Sequence, residues 1–304
     1  MRPSGSLRQL GEAGLIARLA RRLPGAGSVL VGIGDDAAVL RLGRERLLFA
    51  SDMLVEGVHF TRARTPARWI GWKALAANIS DVAAMGGVPR WAVVSLGAPP
   101  STPVRFMDAL YRGLARCARR FGVSIVGGDT VRAPQVVVDV AILGTVEPRR
   151  LTLRSGARVG DVLFVTGRLG GSLVSGRHAR FIPRLAEAQA LLRRVRLHAM
   201  MDLSDGLASD LRQMSRASRV ALRVDVAKIP VARAGRSVYH ALMDGEDFEL
   251  LVAVGPRDAG RVPRRIGACP VTPIGVVVRR GPGVELRDAD GRIRPLVPQG
   301  FRHF

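Results

Sequence analysis

The chain of 304 residues is 47% hydrophobic and 24% charged, more than one average domain holds and far from a disordered composition. No apolar run approaches the ~20 residues a membrane helix needs. Even 136–146 is broken by Asp139, and Arg8, Glu12 and Arg18 interrupt any signal-peptide core, so a soluble, cytoplasmic protein is expected.

In chain order, residues 6–23 read as a helix with Ser6 as a cap, and 29–33 and 46–55 as strands bounded by turn residues. A helix follows, with Thr65 as N-cap, Pro66 at its first position and Gly86-Gly87 as its stop. Residues 91–96 form a third strand. The next helix is the clearest element: Thr102 caps it, Pro103 begins it, and Phe106, Leu110, Leu114, Cys117 and Phe121 make one apolar stripe before Gly122. Strands at 123–126 and 136–143 complete a first unit. Pro148, in an arginine-rich segment, marks the expected boundary between domains 1–148 and 149–304. Beyond it come strand 162–165, a Gly-rich turn 167–171, a helix over 184–195, strand 200–203 and helix 207–218. Strands 220–226, 248–254 and 274–278 follow, and Asp290-Gly291 suits a hairpin turn. The expected fold is α/β (α+β), in two domains of similar size.

The formal net charge of +22 raises nucleic-acid or acidic-membrane binding as the alternative from another class. Among 47 basic residues, however, lysine appears only at Lys73 and Lys228, a ratio that reads as the coding bias of a GC-rich genome. The arginines are scattered, no basic run exceeds two, and aromatics are scarce at 5%, so no specific nucleic acid or membrane partner is expected. Cys117 and Cys269 are too few for a disulfide framework or a Cys-x-x-Cys metal site and read as packing residues.

The acidic residues carry the information. They gather in turns after apolar strands: Gly34-Asp35-Asp36, Ser51-Asp52, Gly127-Gly128-Asp129-Thr130 and Asp202-Leu203-Ser204-Asp205-Gly206, with Asp81 inside a helix segment. One such Asp is most simply a cap or turn former, and Asp35 can be read as only that. Five segments of this kind point to carboxylates converging on cations, since unneutralised they would repel. Hard oxygen donors suit Mg²⁺ shared with phosphate oxygens. A P-loop, a zinc cluster, a Gly-x-Ser-x-Gly elbow and the protein-kinase motifs are all absent from the sequence. Gly32-x-Gly34-x-x-Ala37 fails as a dinucleotide fingerprint, because Asp35 and Asp36 would meet the pyrophosphate.

Seven motifs occur in one order: Gly32-Ile33-Gly34-Asp35-Asp36, the run from Ser51-Asp52 to His59-Phe60, the run from Lys73 through Asn78-Ile79-Ser80-Asp81 to Gly86, Gly127-Gly128-Asp129-Thr130, Arg154-Ser155-Gly156-Ala157, Asp202 to Leu207, and Gly245-Glu246-Asp247-Phe248-Glu249-Leu250. Together with the terminal Gly300-Phe301-Arg302-His303-Phe304, the chain resembles the thiamine-monophosphate kinases, of the aminoimidazole ribonucleotide synthetase-like superfamily. It departs from them around 170–184, where Leu173 to His178 replace a glycine- and alanine-rich helix. The resemblance implies two α/β domains, the N-terminal ones pairing in a homodimer, with ATP in the cleft between domains. It implies Mg²⁺ ligation by Asp36, Asp52, Asp81, Asp129, Asp202 and Asp205, helped by Ser51 and the Ala50 backbone. Tyr111, Gly128, Asp129, Arg154 and Ser204 would hold ATP, and His59, Glu246 and Phe301 thiamine monophosphate. Asp81, Asp129 and Arg154 would be catalytic. The acceptor is itself a phosphate with a second pKa near ~6, so no general base is needed and direct in-line transfer is expected.

Overall fold

The computed structural model describes residues 7–21 and 27–297. Helix α1 (Leu7–Ala20) turns at Gly11, whose φ of 68° favours glycine. Ser6, its expected cap, lies outside the described residues. Strands β1 (Val29–Val31), β2 (Ala38–Leu42) and β3 (Glu45–Val55) form an antiparallel meander. Helix α2 (Ala67–Ala84) leads to β4 (Val88–Ala98), and α3 (Val104–Phe121) to β5 (Ser124–Arg132) and β6 (Val137–Thr145). These six strands lie in the order β1-β2-β3-β6-β4-β5, with β4 and β5 parallel, as a connection through a helix allows.

Helix α3 carries the expected stripe. Leu110, Leu114 and Cys117 are fully buried, Phe106 and Phe121 pack beside them, and Gly122 closes the helix in the left-handed conformation. Both proline-led helix starts differ from expectation by one residue. Pro66 and Pro103 are themselves the N-caps, with ψ of 137°, and no hydroxyl of Thr65 or Thr102 caps either helix. Proline's fixed φ suits either position, so the sequence did not distinguish them. Helix α2 crosses α3 at two glycines. A Cβ on Gly71 would stand 2.0 Å from the Leu110 carbonyl oxygen, and one on Gly113 1.9 Å from that of Arg68.

The second half comprises β7 (Val162–Thr166), α4 (Leu185–Arg194), β8 (Leu197–Asp202), α5 (Leu207–Ser218), β9 (Val220–Asp225), α6 (Val238–Met243), β10 (Leu250–Val254), α7 (Pro256–Ala259), β11 (Arg265–Ile266), β12 (Cys269–Arg280), β13 (Gly283–Arg287) and β14 (Ile293–Pro295). Its sheet runs β14-β13-β9-β12-β7-β10-β8, with β11 beside β12 and β9–β13 the parallel pair. Asp290-Gly291 stands in the β13–β14 hairpin as expected. On one face, Val165, Met201, Leu222 and Leu251 pack against Leu207, Leu211 and Leu242 of α5 and α6. On the other, Phe164, Met200, Leu250 and Val252 meet Ala188 and Leu191 of α4 and also Ala83 and Ala84 of α2.

Helix α2 therefore belongs to both cores. From Ile70 to Ala84 it is buried all round, with only Asp81 partly open. Its C-terminal end lies under β8, which is how a helix of the first half delivers a carboxylate to the second. Cys117 and Cys269 are buried thiols, pushed by burial up to about 12 and about 11, as packing residues are. No described helix is long and apolar enough to cross a membrane.

Candidate active site

Asp36 in the turn after β1, Asp81 on α2 and Asp202 at the end of β8 each offer a carboxylate oxygen within 4.8 Å of the other two. The Asp52 carboxyl on β3 lies beside that of Asp81, close enough for each to shift the other. Ser80 donates to Asp202 Oδ2 at 2.6 Å. Asp205, in the β8–α5 loop, accepts from Gln213 Nε2 at 3.0 Å. Burial pushes Asp52 up to about 6 and Asp202 up to about 7, with repulsion from neighbouring aspartates adding to it. Asp36 and Asp81 rise well above the carboxylate range for the same reasons.

Arg154 is the main opposing charge. Its Nη2 donates to Asp36 Oδ1 at 2.5 Å, its Nη1 to Gln213 Oε1 at 2.6 Å, and its backbone N–H to Asp35 Oδ2 at 3.2 Å. Asp35 is thus more than a turn former: it ties the β1–β2 turn to the start of the second half. One guanidinium against this many buried carboxylates leaves a deficit of positive charge. Every donor in the cluster is a hard oxygen, and buried Asp36 Oδ2 has no hydrogen-bond partner. Such a set fits Mg²⁺ rather than a soft metal.

A cavity of about 320 Å³ opens from the cluster. Asp52, Asp81, Asp202, Ser204 and Asp205 line one end, and His59, Lys73, Glu246 and Phe248 line the rest. The Val55 N–H donates to His59 Nδ1 at 3.0 Å, so the neutral ring carries its proton on Nε2. Glu246 and Phe248 hold φ of 53° and 49°, strain that persists only because the loop is pinned. Glu246 N–H donates to the Ser204 carbonyl at 2.6 Å, Phe248 N–H to that of Leu203 at 2.8 Å, and Ser172 Oγ to that of Glu246 at 2.7 Å. Phe181 stacks behind Phe248, with centroids 3.9 Å apart and planes 5° from parallel.

Several sequence-predicted residues stand elsewhere in the single chain. Ala50 and Asp52 face the helices, but strand alternation turns Ser51 to the opposite, exposed face, where its hydroxyl donates to Asp139 at 2.9 Å. Ser51 Oγ is therefore not in the cluster. Asp129 and Gly128 lie on β5, with β4 and β6 between them and Asp52, roughly 14 Å away at ~4.8 Å per strand. Asp129 shares its row with Ser95, Asp139 and Met53 on the exposed face. Tyr111 is 40% exposed on α3. None of these three lines the cavity. Phe301 falls outside the described residues. Conversely, Lys73, Asp35, Gln213 and Phe248 were missed as site residues. Lys73, Asp35 and Phe248 did stand inside the quoted motifs, and the rarity of lysine was a further signal.

Residues 34–146 match the family model for AIR synthase related protein, N-terminal domain, and residues 158–287 that for AIR synthase related protein, C-terminal domain. The thiamine-monophosphate kinase of Rhodopirellula baltica is 39% identical over 302 residues, 93% of each chain, and that of Synechococcus elongatus is 35% identical over 327 residues, 98% of each. Among solved structures, AaThiL complexed with AMPPCP and TMP superposes with a TM-score of 0.86 at 31% identity over 99% of each chain. With relatives this similar over nearly its whole length, the chain belongs to the thiamine-monophosphate kinase family.

Proposed function

We propose that the protein transfers the γ-phosphoryl group of ATP to thiamine monophosphate, giving ADP and thiamine diphosphate, and that the cavity along α2 holds the acceptor. The observation that carries this reading is a single helical stripe. Lys73, Ala77 and Asp81 line the cavity in successive turns, so the aspartate cluster and Glu246 stand at its two ends. Eight residues of helix span about 12 Å, a length that suits thiamine monophosphate laid with its phosphate at the aspartates.

Asp36, Asp52, Asp81, Asp202 and Asp205 would hold Mg²⁺, with the Ala50 carbonyl at the rim. Bound there, Mg²⁺ supplies neutralisation of two phosphate groups that would otherwise repel. Arg154, fixed by Asp36 and Gln213, presents guanidinium charge to the transferring group, and Ser204 lines the nucleotide side. The acceptor phosphate is largely dianionic at neutral pH and needs no base, and the neutral His59 ring can donate from Nε2 to it. Phe248, backed by Phe181, walls the ring end, and Phe301 keeps its expected role as a residue that holds the acceptor. The reaction then rests on positioning and charge, in line and without a phosphoenzyme.

The first sheet leaves Phe49, Met53, Trp91 and Val93 exposed on the face away from its helices. This contiguous apolar face supports a homodimer through the N-terminal half, with the chain dividing near Pro148. Asp129 and Gly128 reach a nucleotide only if a second copy brings edge strand β5 to it. A monomer by sedimentation at micromolar concentration would contradict this pairing. A cytoplasmic setting, where ATP is supplied, completes the proposal.

Glu246→Gln tests the acceptor end. It should raise the KM for thiamine monophosphate about 10-fold or more and leave the KM for ATP within about 2-fold. Equal changes in both KM values would remove Glu246 from the acceptor pocket.

A further inference from the structure

Lys73 is 1% exposed in the middle of α2, and its amine pairs with a carboxylate there. Its Nζ donates to Glu246 Oε1 at 2.6 Å and to the His59 carbonyl at 3.2 Å. One ammonium thus joins three segments around the ring end of the cavity: a helix of the first half, the loop after β3, and the strained loop of the second half. Glu246 Oε2, the other oxygen of the same carboxylate, is buried without a hydrogen-bond partner. An acceptor left in that state is costly unless something binds to it.

The choice of lysine is a second observation. Of 47 basic residues only Lys73 and Lys228 are lysine. Lys228 is 55% exposed and pairs with Asp225, an ordinary surface contact. Lys73 is the buried one, at a point where a compact ammonium meets two acceptors and a planar guanidinium fork would have to be seated in the same space.

We propose that Lys73 is a positioning residue for acceptor recognition: it grips Oε1 of Glu246 and orients Oε2 toward the exocyclic amine of the substrate's aminopyrimidine ring. This rests on the reading that the cavity holds thiamine monophosphate. Lys73 acts through Glu246 and touches no reacting atom. It therefore sets which ring is accepted, while the aspartates at the far end of the stripe set the rate.

The test is steady-state kinetics of Lys73→Met, Lys73→Arg and Glu246→Gln with thiamine monophosphate and with oxythiamine monophosphate, whose ring has lost the amine. Melting temperatures are measured alongside. Lys73→Met should raise the KM for thiamine monophosphate about 10-fold or more and leave the KM for ATP within about 2-fold. Lys73→Arg should fail to restore it. Discrimination between the two acceptors should fall about 10-fold in Lys73→Met, which a purely structural role would not produce. Unchanged discrimination and KM in Lys73→Met, beside an impaired Glu246→Gln, would overturn the role of Lys73 alone. An unimpaired Glu246→Gln would instead remove the pocket reading beneath it. If Lys73→Met does not fold, Lys73→Arg, which keeps the charge, carries the test: wild-type KM and discrimination in that variant would overturn the proposal.

Discussion

Asp81→Asn is expected to cut kcat by about 10²-fold or more, comparable to losing a transition-state electrostatic contact. The same change should make the metal-free protein more stable at neutral pH. Asp81 sits between Asp52, Asp202 and Asp36, and burial together with their repulsion holds its carboxyl well above the ordinary range. A carboxyl whose pKa is raised by folding binds its proton more tightly in the folded chain. Its contribution is complete below the unfolded value of 3.8 and is lost as pH rises through the folded value. Asp52 at about 6 and Asp202 at about 7 give the window for those two carboxyls. Metal-free wild type should therefore lose stability as pH rises from about 4 through these values, and Asp81→Asn should lose less wherever Asp81 ionises, since its amide never does. Near pH 4 the two should melt together. Thermal unfolding in EDTA across this range, with kcat in saturating Mg²⁺, measures both effects. Wild-type kcat, or a variant less stable than wild type at pH 7.5, would contradict the cluster's assignment.

The largest loss of stability is expected at Glu249, which is fully buried. Arg184 grips it bidentately, Nε to Oε2 and Nη2 to Oε1 at 2.6 Å each, Thr166 Oγ1 donates to Oε2 at 2.7 Å, and Arg177 Nη1 to Oε1 at 3.1 Å. Arg177 also pairs with buried Asp247, next to the strained Glu246. Glu249→Ala leaves Arg184 with only Glu187, and Arg177 with only Asp247, as counter-charges in a largely desolvated place, and should cost about 3–5 kcal/mol. Because the same arginine holds Asp247, the KM for thiamine monophosphate should rise with it. Urea unfolding beside acceptor kinetics checks this. A cost under about 1 kcal/mol would show that water reaches the network and that the 246–248 loop is held by its backbone bonds alone.

How far the sequence could be read depended on whether the cause of a feature was local. Helix 207–218 coincides with α5, because its apolar spacing and the glycine before it are local signals. The stripe on α3 was legible for the same reason. Helix α2 carried no amphipathic pattern, since two cores share it, and its position was read from Pro66 and Gly86 instead. Strand β2 was missed because its register with β3 is set through Gly43-Arg44, which reads only as a polar turn.

In the site, the aspartates were visible because several strand ends carry the same unusual residue. Their partners were not. Arg154 and Asp36 are 118 residues apart, and Lys73 and Glu246 173, so no spacing rule could pair them. The placing of the Ser51 side chain has a simpler origin. Adjacent strand residues face opposite ways, so Ser51 and Asp52 could not both turn a side chain to one cation.

The central claim is that one cavity joins an acceptor phosphate to an aspartate-bound nucleotide. It is tested most directly by incubating the protein with ATP, Mg²⁺ and either thiamine monophosphate or free thiamine, and separating the products. Thiamine diphosphate should form in step with ADP from the monophosphate, and free thiamine should yield neither phosphorylated product. ADP without thiamine diphosphate, or phosphorylation of free thiamine in its place, would contradict the account.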